Sequence, residues 1–131
     1  MTRVDTEKYA RLLEDRDEQL FDMFAPSCRV TLIMKDTIMC HGKTDPGKPQ
    51  PKSKTWSSAK EFFLSGAFKQ KDLKASVVYA HDHDDDKCTM VLLLTASDKL
   101  QYYKDVMTVD VASGLITALE VSTIVCHNSV F

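Results

Sequence analysis

The sequence predicts an α+β domain, with helices gathered toward the start of the chain and strands filling its second half. Three patterns carry that prediction. Tyr9, Leu12 and Leu13, and then Leu20, Phe21 and Phe24, recur at helical spacing. Cys28, Val30, Leu32 and Met34 alternate with Arg29, Thr31 and Ile33, which is the period of a half-buried strand. From Lys74 onward, four strand-like stretches follow one another with only turn residues between them.

Bulk properties fit a single domain over residues 1–131, long enough to bury its own core. A net charge of -2, from 17 basic and 19 acidic residues, gives no general attraction to nucleic acid or an anionic membrane. No apolar run approaches a membrane span. The charged start, "MTRVDTEKYARLLEDRDEQ", lacks a secretory core. We therefore expect a cytoplasmic protein. Its four cysteines, Cys28, Cys40, Cys88 and Cys126, are far apart and form no C-x-x-C pair. They read as reduced thiols, with a disulfide as the alternative.

The elements follow in order. "EDRDEQ" is charged throughout and reads as a solvated turn between two short helices. Pro26 ends the second of them, because a residue before proline is pushed out of the helical region. "CRVTLIM" is then the first strand, and "KDTIMCHG" turns back as a short second one. "GKTDPGKPQPKSK", about 42–54, holds three of the four prolines and reads as a flexible loop. Its Lys43, Lys48, Lys52 and Lys54 either solubilise the chain or dock an acidic partner. Ser58 and Glu61 have capping-box spacing, and Ala59, Phe62, Phe63 and Ala67 form the apolar stripe of a third helix. Trp56 precedes it and is expected over its first turn.

"KASVVYAH" and "CTMVLLLTA" are strands joined through "HDHDDDK", a hairpin of turn-forming and charged residues. Met90 to Leu94 is apolar on both faces, as in a strand covered on both sides. His81, His83 and Cys88 offer metal-binding atoms, but a hairpin tip rarely supplies the held ligand set that a metal needs. No metal and no cofactor are expected. "LQYYKDVMTVDV" and "LITALEVSTIV" close the chain as a last hairpin.

This order of elements resembles the nuclear transport factor 2-like, or SnoaL-like, superfamily. "LFDMFAPSCRVTL" is similar to that family's helix-to-strand passage, and "DVMTVDVASGLITALEV" to its last hairpin. The resemblance covers nearly the whole chain. It implies a cone in which N-terminal helices pack inside a strongly curved antiparallel sheet, also called cystatin-like. It implies no one activity, since the fold hosts isomerases, dehydratases, cyclases and transport adaptors. Within it the ketosteroid isomerases offer a closer echo. Asp105, Val106 and Met107 match their Asp-x-Met run, in which a protonated Asp donates to the reacting oxyanion. Tyr9 falls near their oxyanion tyrosine. Their catalytic base falls on Leu32, which takes no proton, and Asp36 lies four residues on. Steroid isomerisation by that route is therefore rejected.

Asp105 is unusual without any family. It shares a strand face with Tyr103, Met107 and Val109, where a carboxylate is costly unless paired or protonated. Either that face points inward, or it is wet or lines a dimer contact. If inward, Asp105 and Tyr9 form the polar end of a pocket walled by Phe21, Phe24, Leu32, Phe62, Phe63, Tyr103 and Met107, suited to a small apolar ligand. Lyase or isomerase chemistry would use that pair as its catalytic residues. The alternative is a non-catalytic homodimeric module. Its interface would be the face shared by Leu115, Leu119, Val121 and Val125. Cys40–His41 and Cys126–His127 are sequence neighbours and would diverge in a strand, so neither makes a dyad.

Overall fold

The computed structural model of the chain describes residues 2–34, 52–97 and 99–124. Helix α1 (Thr6–Glu14) is capped by Asp5, whose carboxylate accepts from the Lys8 amide at 3.1 Å. It buries Tyr9, Ala10, Leu12 and Leu13. The charged turn ends in Asp17, which caps a single 3-10 helix over Glu18–Met23. Strand β1 (Phe24–Met34) follows directly, and β2 is Lys52–Trp56. Helix α2 (Ala59–Ser65) begins at Ser58, whose hydroxyl accepts from the Glu61 amide at 3.2 Å. Only half of a capping box forms, since the Glu61 carboxylate takes the Ser57 hydroxyl instead, at 3.1 Å. Strands β3 (Lys74–His83), β4 (Lys87–Ala96), β5 (Lys99–Val109) and β6 (Ile116–Ile124) complete the fold.

The six strands form one curved sheet in the order β2-β1-β6-β5-β4-β3. All pairs are antiparallel except β1 with β6, so the sheet is mixed where a wholly antiparallel one is expected. β1 and β6 are joined through the whole domain rather than by a hairpin, and nothing in that connection forces them to oppose. The helices pack on the concave side. Glu14 accepts from the Ala75 amide at 3.0 Å, and Arg16 donates to the Gln70 carbonyl at 2.8 Å, tying the end of α1 to the start of β3. Phe63 of α2 meets five other rings, those of Tyr9, Phe21, Phe24, Phe62 and Phe68, at centroid distances of 5.0–6.4 Å. Among the described residues no helix is long and apolar enough to cross a membrane.

Several expectations change. β1 starts at Phe24, before Pro26, not after it. Its pairing with β6 is interrupted between Phe24 and Arg29, so the amide that proline lacks falls where the ladder is broken. Residues 52–54, expected in a loop, lie in β2, and Trp56 is a strand residue whose ring packs edge-on to Phe62 at 4.9 Å. The rest of that loop, with Lys43 and Lys48, lies outside the described residues, as do the "KDTIMCHG" strand, Asp36, Cys40–His41, Val125 and Cys126–His127. Leu119 and Val121 are 2% and 5% exposed on the concave side. They are core and cannot form the proposed interface. β4 buries Met90 and Leu92, but Val91 and Leu93 on the convex face are only half-covered. The "HDHDDDK" hairpin forms, with its strand running on through His83.

The last hairpin turns at Asp110–Leu115. Asp110 accepts from the Ala112 amide and the Ser113 hydroxyl, and Gly114 takes φ +76°. A Cβ at Gly114 would touch nothing within 4 Å, so a side chain there meets only backbone strain. Gly114→Ala should lower stability by about 1 kcal/mol. Gly66→Ala, at φ −133° with its nearest contact at 3.7 Å, should change it by less than about 0.5 kcal/mol. Paired urea unfolding curves read both.

Candidate functional site

The concave face of β5 reads Lys99, Gln101, Tyr103, Asp105, Met107, Val109, passing from exposed through half-buried to fully buried. Asp105 is inward and 3% exposed, directly across from Met90 on β4 and Val121 on β6. Tyr9, 1% exposed on α1, donates its hydroxyl to Asp105 Oδ2 at 3.5 Å, the outer limit of a hydrogen bond. Asp105 Oδ1 is buried with no hydrogen-bond partner among the described residues.

Burial pushes the Asp105 carboxyl up to about 7, and the Tyr9 hydrogen bond pulls it partly back. Tyr9 is driven well above the ordinary phenol value, first by burial, then by the Asp105 charge and Cys28. Burial, and then Asp105, also raises Tyr103. Near neutral pH Asp105 therefore retains in part a proton that an exposed carboxyl would have released, while Tyr9 keeps its own as any phenol does.

Tyr9 and Asp105 line a cavity of about 800 Å³ between the sheet and the helices. Of the expected wall, Leu32, Phe62, Phe63 and Tyr103 line it. Phe21, Phe24 and Met107 do not. Met107 is fully buried beyond Asp105, Phe24 packs on Tyr9 and Phe63, and Phe21 stacks on Phe68 at 5.2 Å. Among the wall residues that the sequence reading missed are Leu13, Leu92, Leu94, Lys54, Trp56 and Lys99. Lys54 and Trp56 pair with Leu32 and Val30, and that two-residue alternation in "KTW" was the available signal. Leu32 stands on the wall where the resemblance places a base, and it offers no proton acceptor.

The other clusters stay apart. Cys88 faces Asp82 across the hairpin and is buried, while His81 and His83 lie on the opposite face with ring centroids 5.3 Å apart. The strand register thus separates the cysteine from the two imidazoles. Cys28, also buried, is pushed up to about 11 by desolvation and is no nucleophile at neutral pH.

No family model matches the sequence, and no curated protein does. The structure is similar to several solved ones. A protein of unknown function with a cystatin-like fold from Methylobium petroleophilum superposes with TM-score 0.67 at 12% identity, covering 96% of this chain and 77% of that one. A ketosteroid isomerase-like protein from Kribbella flavida gives 0.62 at 13% identity, covering 94% and 77%. A nuclear transport factor 2-like protein of unknown function from Cytophaga hutchinsonii gives 0.61 at 9% identity, covering 91% and 86%. At such identities the likeness is one of fold.

The Asp105 environment has a pH signature. Between the ordinary carboxyl value and about 7, the folded chain holds a proton that the unfolded chain has released. Stability should therefore fall as pH rises through that window and level off above it, by up to about 4 kcal/mol in all. Asp105→Asn should lose this slope. Urea unfolding of both proteins from about pH 4 to about pH 8 measures it. A constant difference between them would mean that Asp105 does not titrate inside the fold.

Proposed function

We propose that this chain, which has the nuclear transport factor 2-like cone fold, binds a small, mainly apolar molecule with a carbonyl or hydroxyl oxygen at Asp105. One observation carries the reading: a buried carboxyl oxygen without a partner among the described residues, on the wall of a cavity of about 800 Å³. A buried polar atom left unpaired is destabilising, and a ligand oxygen would satisfy it. Protonated Asp105 would donate to a carbonyl; ionised, it would accept from a hydroxyl. Apolar walls with few polar groups are the usual make-up of a small-molecule site of this size. Isomerase- or lyase-type chemistry would run through Asp105, assisted by Tyr9, since Asp105 is the only carboxyl on the described wall.

Trp56 is the single tryptophan and lines the cavity, so its fluorescence reads occupancy. Titration with acetylnaphthalene and β-naphthol should give a saturable change. Asp105→Leu should weaken binding roughly tenfold, the value of one hydrogen bond. A cavity that takes up neither probe would sink the proposal.

We also propose a homodimer, through the convex sheet face in place of the face expected from the sequence. Leu93, Tyr102 and Ile124 lie side by side there on β4, β5 and β6, with Val91 and Val106 nearby, all half-covered. Light scattering should give twice the 14.8 kDa chain mass at micromolar concentration, and Leu93→Glu with Tyr102→Glu should give the chain mass. A wild-type monomer would exclude this assembly.

A further inference from the structure

The cavity is electrically lopsided. At its inner end the ionisable groups are Tyr9 and Asp105, both buried. At its exposed margin are two lysines, Lys54 on β2 and Lys99 at the start of β5. Neither is an arbitrary surface lysine. Lys54 pairs with Leu32 and so lies on the cavity face of the edge strand. Its ammonium sits 5.0 Å from the centre of the cavity-lining Trp56 ring, a cation–π contact that holds it there. Lys99 shares the inward face of β5 with Tyr103 and Asp105 and pairs with cavity-lining Ala96. Among the described residues neither ammonium has a carboxylate within ion-pair distance. The ion pairs that do form involve Asp82, Asp84 and Asp86 near the β3–β4 turn.

We infer that the ligand is an amphipathic organic acid, with its carboxylate at the exposed margin in the field of Lys54 and Lys99, its apolar body along the cavity, and a neutral oxygen at Asp105. This rests on the cavity-binding reading above and narrows it to a ligand class and a polarity of insertion. The orientation follows from desolvation. A carboxylate carried to the buried end would lose its hydration without gaining a counter-charge, while at the margin it stays wet and is attracted by the two lysines. The distances fit an extended molecule: Lys99 and Asp105 are six residues apart on one strand, roughly 20 Å, and Lys54 lies level with Asp105 three strands away, through Leu32 and Val121, roughly 14 Å. A competing account of Lys54 is that an inward charge guards an exposed strand edge against pairing with another chain. That account predicts no effect on ligand choice.

The test compares ω-hydroxydodecanoate with its methyl ester, titrated against the full chain at about pH 6 and low salt, read by Trp56 fluorescence and calorimetry. The acid should bind roughly tenfold tighter than the ester, and added salt should close the gap. Lys54→Gln with Lys99→Gln should bring the ratio of acid to ester affinity down to about one. Equal binding of acid and ester, or an acid preference that survives both substitutions, would overturn the inference and leave the cavity reading standing. Binding of neither compound, nor of the neutral naphthalene probes, would remove the cavity reading and this inference with it.

Discussion

The burial of one carboxyl, Asp105, on an otherwise apolar face is the constraint around which the rest of the site is arranged. Its neighbours leave it no choice. Met107 and Val109 are 0% and 4% exposed on the same face, and a slip of one residue would turn both outward. Core packing therefore holds Asp105 inside, although an aliphatic side chain there would cost no desolvation. Among the described residues only Tyr9 answers it, through a long contact to one oxygen. That contact in turn depends on where α1 lies. The Asp5 cap starts the helix, Phe24 and Phe63 hold the Tyr9 ring at 5.9 and 6.2 Å, and Glu14 fastens the far end to β3.

The two ends of the concave face differ because their fillings differ. At the closed end Cys28, Cys88 and Met107 are all fully buried, a dense layer with no room left. At the other end α2 is only seven residues long. It inserts Phe63 into the aromatic cluster and turns Phe62 toward Trp56. Beyond them the cavity is lined by side chains such as Leu32, Leu94 and Ala96. The aromatics thus support one side of the cavity instead of filling it.

Much of this was legible in the sequence, and the exceptions have physical causes. Period-two alternation placed Asp105 with Tyr103 and Met107, and the S-x-x-E spacing placed the start of α2 correctly. Alternation reports which residues share a face, not how deep each one lies. Met107 was therefore expected on the cavity wall when it belongs to the closed end, and Phe24, read at helical spacing, stands at that end in β1 instead. Nor does alternation say which face is inward, so Leu119 and Val121 were expected at an interface when they are core. The proline rule, sound for helices, moved the start of β1 past Pro26, because a break in the ladder is invisible before pairing is known. Strand β2 was masked by the lysines and prolines around it. An edge strand with a charged side chain is compositionally close to a loop.

The same geometry bears on whether this cavity binds or reacts. Chemistry at a carbon acid needs one group to take a proton from carbon while another stabilises the charge arriving on oxygen. Asp105, held near 7, suits either role but cannot fill both at once for one substrate. Tyr9, driven well above its ordinary value, stays protonated, and its hydroxyl already points to Asp105. Leu32 contributes nothing to proton transfer. The described wall therefore has one proton-exchanging carboxyl and one committed donor, an arrangement better suited to recognising an oxygen than to moving a proton between carbons.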